Sequence, residues 1–208
     1  MDVKKDSTDS IRALAGTTRI TPTETPPQQS MEEWLLSNVE NLVPQTNQCE
    51  GHAATDRIEA ASDGSVARSE GTFGWVIGSP NGVRLAKGKG RAFGHPMTSY
   101  RAEAFGISSI ATHWVTNFLE KDLHLVCDNQ ALVDNIEKLV KRQRPQFPND
   151  TLQPDWDVLS CTVNLMKKHP GITLNWIESH QDTDTTKSSL SLMACLLYTS
   201  PSPRDVLR

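Results

Sequence analysis

The sequence predicts an α/β domain on a mixed sheet of five strands flanked by helices, and three observations carry that expectation. Between Arg57 and Ile177 the elements fall in the order β-β-β-α-β-α-α-β. The first three strand-like runs are separated by short turn signals, as in an antiparallel meander. Leu123 to Cys127 is a nearly unbroken apolar run, which suits a strand near the centre of a sheet.

Taken in order, Ile58 to Ser62 reads as the first strand and Asp63-Gly64-Ser65 as its turn. Gly71 to Ile77 is the second strand. Pro80-Asn81-Gly82 is a hairpin signal, because Asn-Gly tolerates positive φ, and Val83 to Phe93 is the third strand. Ser99 to Leu119 is helical, with Ile107, Ile110 and Trp114 on one face. Glu103 lies four residues before Ile107 and so begins the same buried stripe. An unpaired buried carboxylate is costly, so it needs a hydrogen-bond partner or a cation. Asn129 to Lys141 forms the next helix, on Leu132, Ile136, Leu139 and Val140. Arg142 to Asp150 is loop, Asp155 to Lys168 is helix stopped by Pro170-Gly171, and Ile172 to Ile177 is the last strand.

The 208 residues fit one domain with tails. With 37% apolar and 6% aromatic residues, the chain is too polar to be globular throughout. Residues 1–54, rich in Ser, Thr, Pro and Gln, read as a linker, with a short amphipathic helix expected over 31–43 as a packing accessory. A net charge of −4 offers no overall basic excess, so a nucleic-acid partner has to be held by a local patch or through metal. Cys49, Cys127, Cys161 and Cys195 show no paired spacing, which suits a reduced intracellular compartment, cytoplasm or nucleus. No apolar run reaches the roughly 18 residues of a membrane span, and the charged start is no secretory signal.

Asp63, Glu103 and Asp128 are acids from three distant blocks, each at the end of a buried element or on its apolar face. Each has an ordinary explanation: Asp63 as a turn residue, Glu103 as an early-turn acid favoured by the helix dipole, Asp128 as a helix cap. Together they are what a hard divalent cation needs. Lys138, Lys141, Arg142 and Arg144 cluster at a helix end, either as a solvated end complementing the macrodipole or as a grip on a phosphate backbone.

The blocks SDGS around Asp63, SYRAEAFG around Glu103, VCDNQALV around Asp128 and WIESHQD around His180, with spacings of 40 and 25 between the acids, resemble type 1 ribonuclease H. The resemblance is closest to the domains attached to retroelement reverse transcriptases and covers Arg57 to Ala194. It implies cleavage of the RNA strand of an RNA–DNA hybrid, with Asp63, Glu103 and Asp128 as metal ligands and His180 on a mobile loop, able to shuttle a proton or assist product release. It implies two Mg²⁺ ions about 3.5–4 Å apart, with Mn²⁺ as substitute. Recognition would rest on shape and the 2′-hydroxyl, within reach of Gly64, Ser65, Thr98, Ser99, Asn129 and Gln130, and Lys141 and Arg142 would grip the backbone. The partner is then a hybrid, with an upstream reverse transcriptase domain in the parent protein and no membrane.

The family carries a fourth carboxylate on a helix beyond the His loop. Here Ser189 to Ala194 approaches that point, but Cys195 to Arg208 reads like translated sequencing adapter, and Asp205 follows two prolines. The expectation is a domain over 55–194, a non-native tail over 195–208, an exposed apolar sheet face, and weak or no cleavage. The alternative keeps the fold without the enzyme: a degenerate, metal-free nucleic-acid-binding or scaffold module. An actin-like or sugar-kinase-like fold needs a second similar half, and no internal repeat is present.

Overall fold

The computed structural model describes residues 30–42, 57–80 and 82–178. The expected elements are there, preceded by α1 (Met31–Leu36), inside the segment expected to be helical, and by a further strand, β1 (Val39–Asn41). They are followed by β2 (Arg57–Ala67), β3 (Glu70–Gly78), β4 (Arg84–Ala92), α2 (Ser99–Asn117), β5 (Asp122–Cys127), α3 (Gln130–Lys141), α4 (Trp156–Lys168) and β6 (Ile172–Trp176). The sheet has six strands rather than five, in the order β1-β4-β3-β2-β5-β6. From β1 to β2 the neighbours are antiparallel, while β2–β5 and β5–β6 are parallel.

The segment expected as one helix over 31–43 holds a helix over Met31–Leu36 and a strand over Val39–Asn41. Ser30 and Glu33 form a reciprocal capping box, and the chain then turns into β1, which pairs with β4 through Val39 and Gly88. Leu35 is buried, Trp34 packs on Phe93 with ring centroids 4.2 Å apart, and the Trp34 indole donates to the Arg91 carbonyl at 3.1 Å. Both elements precede residue 55, where the domain was expected to begin; β1 joins the sheet and α1 packs against α2.

Residues of β2 alternate between the faces of the sheet. Ile58, Ala60, Ser62 and Gly64 face α2, together with Phe73, Trp75 and Ile77 across the ladder. Ala61 and Val76 look the other way, with Val126 and Ile177. On that second face Ala61, Val76 and Val126 are at most 3% exposed, and the segment expected to leave it uncovered, beyond residue 178, lies outside the described residues.

Helix α2 is enclosed on every side: every residue from Arg101 to Trp114 is buried, although Arg101, Glu103, Ser108, Ser109, Thr112 and His113 are polar. A buried polar group needs a partner; Arg101, Glu103, Ser108 and Ser109 find theirs far along the chain, whereas Thr112 donates to the Ser108 carbonyl one turn back and His113 Nδ1 meets Asn117. Trp75 Nε1 donates to Ser109 Oγ at 2.7 Å, Ser109 Oγ donates to the Leu35 carbonyl at 2.6 Å, and Ser108 Oγ meets Thr162 Oγ1 at 2.7 Å. These contacts lock β3, α1 and α4 around the helix that carries Glu103.

Candidate active site

Asp63-Gly64-Ser65 is not a turn. Strand β2 continues through it to Ala67, and the hairpin is made by Arg68 and Ser69, whose φ angles of 51° and 66° match the left-handed pair of a two-residue turn. Gly64 is required for another reason. A Cβ there would lie 2.5 Å from the Glu103 amide nitrogen and 2.8 Å from the Ala102 carbonyl carbon, so only glycine lets α2 cross β2 this closely. The crossing brings the Glu103 carboxylate to the Gly64 amide, which donates to Oε1 at 2.6 Å.

The parallel pairing of β2 with β5 ends at Ala61 and Val126. Asp63 and Asp128 each lie two residues beyond that last pair, where the two strands part. Glu103 reaches the gap from the α2 side, 4% exposed. Ligand atoms of Glu103, Cys127 and Asp128 lie within 4.8 Å of one another, an acidic group able to hold a cation. Asp63 is outside that group of three. It is close enough for its charge to act on Glu103, whose carboxyl is raised well above its usual pKa, by burial first, then by Asp128 and Asp63.

Cys127 was not expected in the site. Its type and its place in an apolar strand gave it only a core role, but strand alternation aims it at α2. There its thiol donates to Glu103 Oε2 at 3.8 Å and accepts from the Asn129 amide at 3.4 Å. Burial, then the neighbouring Glu103 charge, push this thiol far up, so it stays protonated.

The other expected residues fall into two groups. Asn129, not Asp128, caps α3, its side chain accepting from the Leu132 amide at 3.1 Å; Asp128 is thereby left out of capping. Thr98 caps α2 in the same way, accepting from the Arg101 amide at 3.1 Å. Gly64 and Ser65 are half-buried beside Asp63, while Ser99 and Gln130 are exposed at the starts of α2 and α3. The basic cluster is partly neutralised: Lys141 pairs with Glu137 at 2.9 Å on the surface, and Arg142 is bonded to the buried Asp150. His180, Asn81 and residues 195–208 lie outside the described residues.

The profile of the reverse transcriptase-like family matches residues 61–178, more than half of the chain and a span holding Asp63, Glu103 and Asp128. The chain belongs to that family. Its fold is ribonuclease H-like. Among solved structures it is similar to the protease-reverse transcriptase of prototype foamy virus, with 14% identity and a TM-score of 0.50, over 67% of this chain and 20% of that one. The chain thus spans about a fifth of that polypeptide. RNase H1 from the halophilic archaeon Halobacterium salinarum NRC-1 aligns at 18% identity and a TM-score of 0.43, over 68% of this chain and 98% of that one. LC11-RNase H1, solved in complex with an RNA/DNA hybrid, aligns at 13% and 0.47, over 73% and 99%. No curated protein sequence matches. Among the described residues, no helix is long and apolar enough to cross a membrane.

Proposed function

We propose that this chain carries an RNA–DNA hybrid ribonuclease domain of a retroelement polyprotein, residues 55–194 together with α1 and β1. The carrying observation is the convergence of Glu103, Asp128 and the Asp63 charge where β2 and β5 separate. In the same reading a reverse transcriptase domain precedes this segment in the parent gene.

The donor set suits a hard divalent cation. Carboxylates that repel one another in a buried gap are relieved by positive charge, and oxygen donors match Mg²⁺, with Mn²⁺ as its substitute. Asp63, Glu103 and Asp128 would hold the metal, while the protonated Cys127 thiol supports Glu103 through a hydrogen bond. A bound metal supplies an activated water and neutralises charge on the phosphate oxygens.

The chain's own residues then divide the remaining work. The Gly64 amide fixes one Glu103 oxygen. The exposed Ser99 and Gln130, with Ser65, flank the acidic gap and can address ribose hydroxyls, and Thr98 and Asn129 combine capping with the same position. Lys138 and Arg144 supply positive charge for the backbone, with Lys141 and Arg142 adding to it beyond their ion pairs. His180 serves as proton shuttle.

The test is a Mn²⁺ titration of the full chain followed by thermal melting, then incubation of labelled hybrid, double-stranded RNA and double-stranded DNA with Mg²⁺. A rise in Tm with Mn²⁺ and preferential binding of the hybrid are expected, with cleavage weak in this chain. Absence of any metal-dependent stabilisation overturns the ribonuclease reading in favour of the metal-free scaffold module.

A further inference from the structure

We propose that Arg101 is a positioning residue for Glu103, fixing the first turn of α2 so that the carboxylate meets the Gly64 amide. The proposal rests on the reading of Glu103 as part of the active site.

Arg101 is 6% exposed, and a buried guanidinium is tolerated only when its donors are matched. They are matched from three directions. Nη1 donates to Asp155 Oδ1 at 2.8 Å and Asp157 Oδ1 at 2.9 Å, Nη2 donates to Asp157 Oδ2, and Nε donates to the Phe93 carbonyl. The guanidinium also lies over the Phe105 ring, 5.4 Å from its centre. Local structure gives way to this arrangement on both sides. Gly94 has φ +101°, and a Cβ there would come within 2.3 Å of Arg101 Nη2. Asp155 stands at the N-cap of α4 with φ 66°, left-handed for a residue with a side chain, and its carboxylate caps nothing because it is bonded to Arg101.

The preceding residue repeats the tie. Tyr100 Oη accepts from Asn135 Nδ2 of α3 at 2.9 Å, and the same amide donates to Gln153 at 3.3 Å. The first turn of α2 is thus held by α3, by residues 153–157 and by the Phe93 carbonyl. Glu103 follows Arg101 by two residues on a stiff helix, and its 2.6 Å bond to Gly64 leaves no slack. A small displacement of the first turn passes directly to the carboxylate.

The test is the Gly64 amide resonance in the ¹⁵N-labelled, metal-free full chain, with Glu103→Ala marking the resonance and the position it takes without its side-chain acceptor. Arg101→Met is expected to move it most of the way to that position. Arg101→Lys, which keeps charge without the planar fork, restores part of the shift. Leu139→Ala, a destabilised control in α3, leaves the resonance at its wild-type position. If Arg101→Met does not fold, Asp157→Asn replaces it and moves the resonance the same way by less. An unmoved Gly64 amide in the folded variant overturns the proposal. In a second arm Arg101→Met weakens Mn²⁺ binding about 10–100-fold, the usual effect of removing an outer-shell partner. A wild-type chain that binds no Mn²⁺ refutes the metal reading, while the amide shift still decides the role of Arg101.

Discussion

Replacing Gly64 with alanine probes the contact on which the site is built. The new Cβ would lie 2.5, 2.8 and 3.0 Å from three main-chain atoms of Ala102 and Glu103, where ordinary contact begins at 3.4 Å. Helix α2 would have to withdraw by about 0.9 Å, and no side chain can rotate to spare it. Overpacking of this kind costs about 1–3 kcal/mol. The same withdrawal stretches the 2.6 Å Gly64–Glu103 bond past useful range, for about 1 kcal/mol more. We expect Gly64→Ala to lose about 3 kcal/mol in urea unfolding followed by tryptophan fluorescence, and to lose the Mn²⁺-dependent rise in Tm. Gly71→Ala is the control. Its Cβ would meet Met97 Sδ at 2.3 Å, the far end of a flexible side chain that can swing away, and Ala92 Cβ at 3.1 Å, a few tenths of an ångström too tight, so its cost stays well below that of Gly64→Ala. If the two variants are equally stable, or Gly64→Ala matches wild type, the close crossing of α2 over β2 does not govern the site.

Metal-free Glu103→Gln is expected to be more stable than wild type at neutral pH. The raised Glu103 carboxyl contributes its full stability below about pH 4.5 and loses it as pH rises through its folded value, whereas glutamine does not titrate; a variant no more stable at pH 8 than wild type would contradict this. His113 runs in the opposite direction. Burial holds it at about 4 instead of 6.5, so stability is full above pH 6.5 and falls as pH drops toward 4, by an amount on the order of 3 kcal/mol. His113→Leu should flatten that part of the pH–stability curve, and an unchanged slope would show that another group carries it.

The order of elements was legible from periodicity and turn residues, and the inward aim of Glu103 followed from its spacing to Ile107. What periodicity could not reach was set by contacts between distant segments. Asp63-Gly64-Ser65 has the composition of a turn, but its glycine serves a helix crossing, while the actual turn at Arg68-Ser69 carries no glycine or asparagine to announce it. Strand β1 has three residues, too few for a pattern, and is defined by its pairing with β4. Arg101 reads as a surface residue until Asp155 and Asp157, more than fifty positions later, are folded against it. Cys127 gains its place only when α2 is laid across the end of β5. In the VCDN block, Asp128 and Asn129 are equally good caps on paper; the backbone gives the cap to Asn129 and leaves the acid to the gap.

The pairing of β1 with β4 also bears on how the domain behaves in solution. A chain begun at residue 57 would leave the β4 ladder unpaired along its rim, ready to zip onto a neighbouring molecule, and would empty the socket filled by Leu35. With β1 in place the outermost strand is only three residues long and carries Glu40, ion-paired to Lys87 at 3.0 Å, which makes a poor template for self-association. Trimming the molecule to its family-matched span therefore invites clumping even though every candidate ligand is retained.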